Sequence, residues 1–435
     1  MPSAPNPQPK GPLAAVLRPL ERYSKTDMSY LTKGGFWLTV DEASGAIAGL
    51  LLSVAFAHFL PKEVYGTYRY LIALFWIFTA FTMTGLPSAV SRAVAQGREG
   101  AFRSSFGFSV RWALPLSVVA LGTSAYYFLQ GNSDIGFGLL IIAGLGPLMQ
   151  AAYLWSAFFA GKKKFKSLAM YGAVFAFVPA LTLLATMYSV HNPLVLLFSY
   201  LASTVLVGLL ISFSIFRHER PNTVPDPECR NLGWHFSAMN LLGTIAQQID
   251  KIVVFHYLGA VQLAVYALAT ALPEQVKNVF GSVSTLALPK FIARPYAEIQ
   301  KTFWYRLWGF TGLLTVVAIA YALLAPFAFA LFFPAYGEAV LYSQVFALSL
   351  IPIGNTISIT LLQAHKAKRE LYIFNVLSPV FQIGSLIVLT SMYGLMGAVV
   401  ARIVARVLSF ALSAILVRLY GIREARELLA EQVSV

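Results

Sequence analysis

The chain has 435 residues, of which 58% are hydrophobic and 11% charged, with a net charge of +14 and a mean hydropathy of +0.69. A soluble globular domain carries about a quarter charged residues, so that class is excluded. Continuous apolar runs of roughly 20 residues, each enough to cross about 30 Å of hydrocarbon, also exclude a β-barrel, which reads as short alternating segments. The expected class is an all-α polytopic membrane protein.

Taken in order, the chain opens with MPSAPNPQPKGPL, Pro-rich and polar and without the apolar core of a signal peptide. Residues 1–33 are therefore expected to form a disordered to amphipathic cytoplasmic tail. Twelve spans follow, at about 35–60, 66–87, 107–129, 135–160, 167–188, 193–216, 233–258, 262–288, 303–325, 338–363, 371–392 and 396–418. Their connectors alternate sharply. One set carries Arg18, Arg22, Lys25 and Lys33, then Arg92, Arg98 and Arg103, then Lys162, Lys163, Lys164 and Lys166. It continues with Arg217, Arg220 and Arg230, with Lys290, Arg294 and Lys301, with Lys366, Lys368 and Arg369, and with Arg423 and Arg426. The other set holds only Lys62 with Glu63, Asp134 and Glu338. Cationic connectors stay inside, so both termini are placed in the cytoplasm of a cell (inner) membrane protein. Charge confined to one membrane face also removes nucleic acid as a partner. The lone cysteine, Cys229, leaves no internal disulfide.

A shift of 198 residues lays the chain on itself. His58 falls on His256, Leu60 on Leu258, Tyr68 on Tyr266, Ala73 on Ala271 and Leu74 on Leu272. Gly35 meets Gly233 and Gly45 meets Gly243 at the same shift. Six spans per copy gives two halves of one orientation. The expected division is an N-lobe at 34–216, a linker at 217–231, a C-lobe at 232–420 and a cytoplasmic tail at 421–435. The linker, RHERPNTVPDPECRN, has the Pro and charge content of a flexible connection. Ser88–Arg103 reads as a short amphipathic helix and Gly421–Val435 as a terminal surface helix.

Charge inside the spans is costly, so each instance needs a partner or a task. In span eight Glu274 and Lys277 lie three residues apart on one face, with Thr270, Gly281 and Ser284, just after the helix-bending Pro273. They form either a self-neutralising pair or a cavity-lining one. Span twelve carries Arg402, Arg406, Ser409 and Ser413 on one face. Arginine cannot shed its proton, so its partner must be an anion elsewhere: Asp250, Glu274 or a ligand phosphate. Span seven shows Asn240, Thr244, Gln247 and Lys251 as a stripe with Asp250 beside it, and Lys251 can snorkel outward. Asp41 and Glu42 in span one can carry H+ or bind Na+, or simply face water. Arg69 opens span two, where snorkelling and binding are equally open. Asn355, Thr356, Thr360 and Gln363, then Asn375, Ser378, Gln382 and Ser385, either line a wet cavity or bond between helices. His58 and His256, at the outer ends of equivalent spans, read as interface residues more readily than as proton relays. No Walker-type phosphate loop, metal-ligand pair, HExxH or nucleophile elbow occurs, and the outer connectors are too short for a catalytic domain. The chain is read as a non-enzyme without cofactor or metal.

The order KGGFWLTVDEASG, a long apolar helix, then FLPKEVYGTYRYLIAL resembles the start of Wzx-type polysaccharide flippases of the multidrug/oligosaccharidyl-lipid/polysaccharide (MOP) superfamily. Phe59, Leu60, Tyr65, Gly66 and Tyr68 match that family's first hairpin, with Pro61 where a glycine is usual. Asp250, Lys251, Leu258, Gly259 and Tyr266 match the start of its second half. The resemblance implies two six-helix lobes around a cavity open to alternate sides. The implied cargo is an undecaprenyl-diphosphate-linked oligosaccharide for surface polysaccharide or O-antigen synthesis. Cationic cavity residues in such proteins meet the diphosphate. By type and depth that role passes to Lys277, Arg402, Arg406, Lys251 and Arg69, with Gln247 and Asn240 beside them. Glu274, Asp41, Glu42 and Asp250 would couple transport to an H+ or Na+ gradient. Expected partners are the lipid-linked sugar, membrane lipid and a polysaccharide polymerase or export complex. The competing readings are a MATE-like drug or metabolite antiporter, a membrane glycan polymerase or ligase, and an export scaffold. The first expects an acidic cavity and the second a large outer loop.

Overall fold

In the computed structural model, residues 28–281, 291–292 and 294–433 are described. Residues 1–27 of the tail expected at 1–33 lie outside them, as do Ser284 and Lys290. The described residues form helices joined by short turns: α1 (Met28–Phe59), α2 (Lys62–Phe78), α3 (Leu86–Ala95), α4 (Gly100–Trp112) and α5 (Leu114–Leu129). There follow α6 (Ser133–Ala152), α7 (Leu154–Gly161), α8 (Phe165–Ser189) and α9 (Pro193–Ser214). The second half holds α10 (Cys229–Ala246), α11 (Ile249–Gly281), α12 (Tyr296–Phe332), α13 (Ala339–Ala347), α14 (Asn355–Ala364) and α15 (Lys368–Val433).

Among the described residues, ten stretches of helix are long and apolar enough to cross a membrane. Two of them, Cys229–Asn278 and Lys368–Arg426, have 50 and 59 residues, about twice what one crossing needs. Each is broken by a glycine outside helical geometry: Gly259 (φ 85°, ψ 179°) in α11 and Gly394 (φ 58°, ψ −137°) in α15. A side chain is strained at such φ, which is why glycine stands there. Both breaks fold the chain back on itself. The Tyr266 hydroxyl donates to Asp250 at 2.9 Å across Gly259, and the Ser378 and Ser409 hydroxyls meet at 2.5 Å across Gly394. Counting both turns, the helices make the twelve crossings the hydropathy pattern predicts.

Helix ends follow local chemistry. The Asn132 side chain accepts from Ile135 N at the start of α6, and Asn192 accepts from Leu194 N before Pro193 at the start of α9. Three expectations change. The predicted surface helix at 88–103 is instead α3, then a turn at 96–99, then the start of α4. The tail helix expected from Gly421 is not separate but the continuation of α15. The linker does not hang free. Asn222 N donates to Glu99 Oε2 (3.1 Å), Asn222 Nδ2 to Gly97 O (2.8 Å), and Gly100 N to Val224 O (3.1 Å). Arg98 pairs with Asp226 (3.0 Å) and Lys164 with Glu219 (2.5 Å). Its charges thus serve as fasteners to the first half, not as a solvated coil.

The hydrophobic core shows how the halves meet. Its largest cluster takes residues from both, including Tyr65, Tyr70, Leu71 and Phe75 with Val254, Leu263, Tyr266 and Phe346. Toward the Lys/Arg-rich face the clusters part. One is built on α3, α4 and α7 with the start of α10, the other on α12, α14 and α15. At the bare face the halves are tightly closed. A Cβ on Gly66 would lie 1.9 Å from Ala260 O, so only glycine lets α2 and α11 touch there. Tyr70 stacks on Phe255 with centroids 3.9 Å apart, and Lys62 pairs with Glu338 at 2.6 Å.

Candidate functional site

The fold brings α11 and α15 together so that their intramembrane charges form one cluster. Glu274 stands 15 residues past the Gly259 turn and Arg406 12 past Gly394, about 22 and 18 Å of helix from the bare face. Glu274 accepts from Arg402 Nη2 at 2.8 Å, from Arg406 Nη2, and from Lys277 Nζ at 2.5 Å. Arg402 also pairs with Asp250. Asp250 is 2% exposed and takes the Tyr266 hydroxyl and its neighbour's amide, Lys251 N, at 3.0 Å. Arg406 further donates to Ser349 Oγ at 2.6 Å, and both guanidinium groups lie over the Phe346 ring, 5.8 and 5.2 Å from its centre. Such charge-assisted bonds and ring contacts are what a buried arginine needs to offset lost hydration.

Beside the cluster lies a cavity of about 700 Å³, within the size range of small-molecule sites. Glu42, Gly45 and Ala46 of α1 face it from the first half, and Gln275, Lys277 and Asn278 of α11 from the second. Pro352, Ile353, Asn355, Thr356 and Arg406 complete its wall. A smaller, apolar hollow of about 260 Å³ adjoins it, between α1 (Ala46, Ile47, Leu50), α11 (Leu272, Gln275, Val276) and Tyr321.

The structure sorts the residues picked from sequence into three groups. Lys277, Arg406 and Glu42 reach the cavity wall, and Arg402, Glu274 and Asp250 form the network behind it. Of the partners left open for the arginines, Asp250 and Glu274 are the ones they meet. Each of Lys277, Arg402 and Arg406 contacts Glu274, so the cluster's ion pairs join four cations (with Lys251) to two carboxylates, with Glu42 in the cavity wall nearby. Lys251 does not snorkel: it is 14% exposed and donates to Gln248 Oε1 at 2.8 Å. The third group stands apart. Asn240 and Gln247 are exposed and absent from the cavity wall. α10 ends at Ala246 and α11 begins at Ile249, so the stripe from Asn240 to Lys251 is not one helix face. Arg69 is also outside the wall, with its Nε buried and without a hydrogen bond. Asp41 lies against α8, where a Cβ on Gly172 would sit 1.7 Å from Asp41 Oδ1, and it makes no ion pair among the described residues.

The two uncharged stripes divide. Asn355 and Thr356 line the cavity, whereas Ser378 bonds Ser409 and Gln382 bonds the Ala246 carbonyl between helices. His256 lies near Tyr127 Oη (3.4 Å) at the junction of the halves, while exposed His58 bonds only its own helix, at Val54 O (2.9 Å). Gln275, Asn278, Ser349 and Phe346 are additions that sequence reasoning missed. The first two flank Glu274 and Lys277, and that adjacency was their one signal.

A family model described as "Polysaccharide biosynthesis protein" matches residues 31–294, well over half the chain. The chain belongs to the polysaccharide biosynthesis protein family. That match takes in Glu42, Asp250, Glu274 and Lys277 but stops short of Arg402 and Arg406. No curated protein matches this family member by sequence. In fold it is similar to an inward-facing MATE multidrug transporter of the MOP superfamily, at TM-score 0.68 and 12% identity, covering 86% of this chain and 94% of that one. An outward-facing MATE transporter gives 0.56 at 14% identity, with 87% and 95% covered. The lipid II flippase MurJ in an inward closed conformation gives 0.63 at 16% identity, with 88% and 87% covered. This family member thus has, over its described residues, an all-helical fold with twelve crossings similar to that of MOP-superfamily proteins.

Proposed function

We propose that this protein is a flippase that moves a diphosphate-linked oligosaccharide, of the undecaprenyl type, across the cytoplasmic membrane for surface polysaccharide synthesis. The observation that carries this reading is the 700 Å³ cavity with Lys277 and Arg406 in its wall, in a charge cluster of four cations to two carboxylates. An anionic headgroup cannot cross hydrocarbon unaided, and fixed cations replace the water it gives up. The adjoining apolar hollow between α1 and α11 suits the first isoprene units, leaving the rest of the tail in lipid. A drug-cation antiporter would need the opposite charge balance.

The two halves, with boundaries at 34–216 and 232–420 around the fastened linker, act as lobes in alternating access. Their shared core at the bare face and separate cores at the basic face favour a state open to the cytoplasm, with both termini on that side. Lys277 and Arg406 meet the headgroup first, with Arg402 and Lys251 behind them and Arg69 nearer the exit. Asn240 and Gln247 keep only a peripheral role. Ion coupling to H+ or Na+ is assigned to Asp41, which lies against α8 and makes no ion pair among the described residues, and to Glu42 in the cavity wall. A polymerase or export complex would take the product at the outer face.

Deletion of the gene, followed by leaflet-resolved analysis of lipid-linked sugars, tests the reading. Accumulation on the cytoplasmic leaflet with loss of surface glycan is expected. Accumulation on the outer leaflet would assign the chain to polymerisation or ligation instead.

A further inference from the structure

Glu274 and Asp250 are the two acids of the cluster, and they are held in opposite ways. Asp250 is sealed in, with a tyrosine hydroxyl and a backbone amide among its donors. Glu274 is 24% exposed and pairs with the three cations Lys277, Arg402 and Arg406, two of which line the cavity. Pro273 precedes it and leaves the carbonyl one turn earlier, at Ala269, without its helical amide donor, which loosens the helix at that point.

Resting on the flippase reading, we infer that Glu274 is a placeholder anion that sets the charge the cargo must carry. With no cargo bound, its carboxylate, behind the wall, holds the two wall cations that would otherwise meet the headgroup. A cargo must pull Lys277 and Arg406 away from it. Glu274 is not stranded by that exchange, because Arg402 Nη2 stays on Oε1 at 2.8 Å. Two cations are released into a wall that also holds Glu42, so a group bearing two negative charges can engage both where a group bearing one engages a single cation. A sugar–diphosphate–lipid carries one charge on each phosphate and meets that requirement. A sugar–monophosphate–lipid carries one charge in all and only replaces the one carboxylate it displaces, with no net gain of charge-assisted contacts. The built-in acid therefore acts as a threshold: it rejects monoanions by competing with them.

The test uses the full-length purified protein and two synthetic probes, farnesyl-diphosphate-linked and farnesyl-phosphate-linked N-acetylglucosamine. The wild type is expected to prefer the diphosphate probe by about tenfold or more. Glu274→Gln keeps the shape and removes the competing charge. It should bind both probes more tightly and narrow the preference to under about threefold. Should that variant not survive purification, Glu274→Asp replaces it. Its carboxylate, one methylene shorter, loosens its hold on Lys277 and must shift both affinities the same way. An unchanged preference, or weaker binding of both probes by a folded variant, overturns the placeholder role. That outcome is distinct from failure of the flippase reading, which would show as no diphosphate binding by the wild type and no loss in Lys277→Gln.

Discussion

Lys277→Ala and Arg406→Ala are each expected to cut glycan export by roughly thirtyfold while protein level and membrane insertion stay normal. Each removes one charge-assisted contact to the headgroup, about 2 kcal/mol of differential binding, and every 1.4 kcal/mol is about tenfold. Neither loss should unfold the chain. Lys277 is about a third exposed, and Glu274 keeps both arginines without it. Without Arg406, Glu274 still has Lys277 and Arg402, while Ser349 loses a partner that water from the cavity can replace. Export assays scaled to the amount of protein in the membrane check this. Conservative Lys277→Arg, which keeps the charge, should retain most export.

Arg402→Met has the largest expected effect on stability. Among the described residues Arg402 is the cation that pairs with both Asp250 and Glu274, and so it ties the first segment of α11 to its second through α15. Removing one partner of a buried ion pair costs about 3–5 kcal/mol, because the other charge is left unpaired. The lower end is expected here, since Tyr266 and Lys251 still serve Asp250. Thermal unfolding in detergent should show a larger drop for Arg402→Met than for Lys277→Ala. Adding Asp250→Asn to Arg402→Met should recover much of that drop, because the stranded charge then disappears.

The spans were legible because hydropathy length and the sidedness of lysine and arginine are set by the bilayer and not by tertiary detail. Arg402 and Arg406 pointed to Asp250 and Glu274 for a similar reason: a midmembrane arginine must find an anion, and few were on offer. What could not be read was how helices end. The stripe from Asn240 to Lys251 looks continuous at helical spacing, but the turn at 247–248 rotates Lys251 out of register with Asn240. The linker misled in the same way. Proline and charge suggest a loose tether, yet Glu219, Asn222 and Asp226 find partners on Lys164, Glu99 and Arg98 that lie more than fifty residues away in sequence. Composition reports solvation of a segment and cannot report such distant partners. The contact of Asp41 with Gly172 is of the same kind, since no periodicity links α1 to α8.

The direct test is translocation by the purified protein in vesicles loaded on one leaflet with a fluorescent sugar–diphosphate–polyprenol. Wild-type protein should carry the lipid to the opposite leaflet, and the Lys277→Ala/Arg406→Ala double variant should not, at equal incorporation. Equal movement by both proteins would contradict a cationic seat for the headgroup beside Glu274.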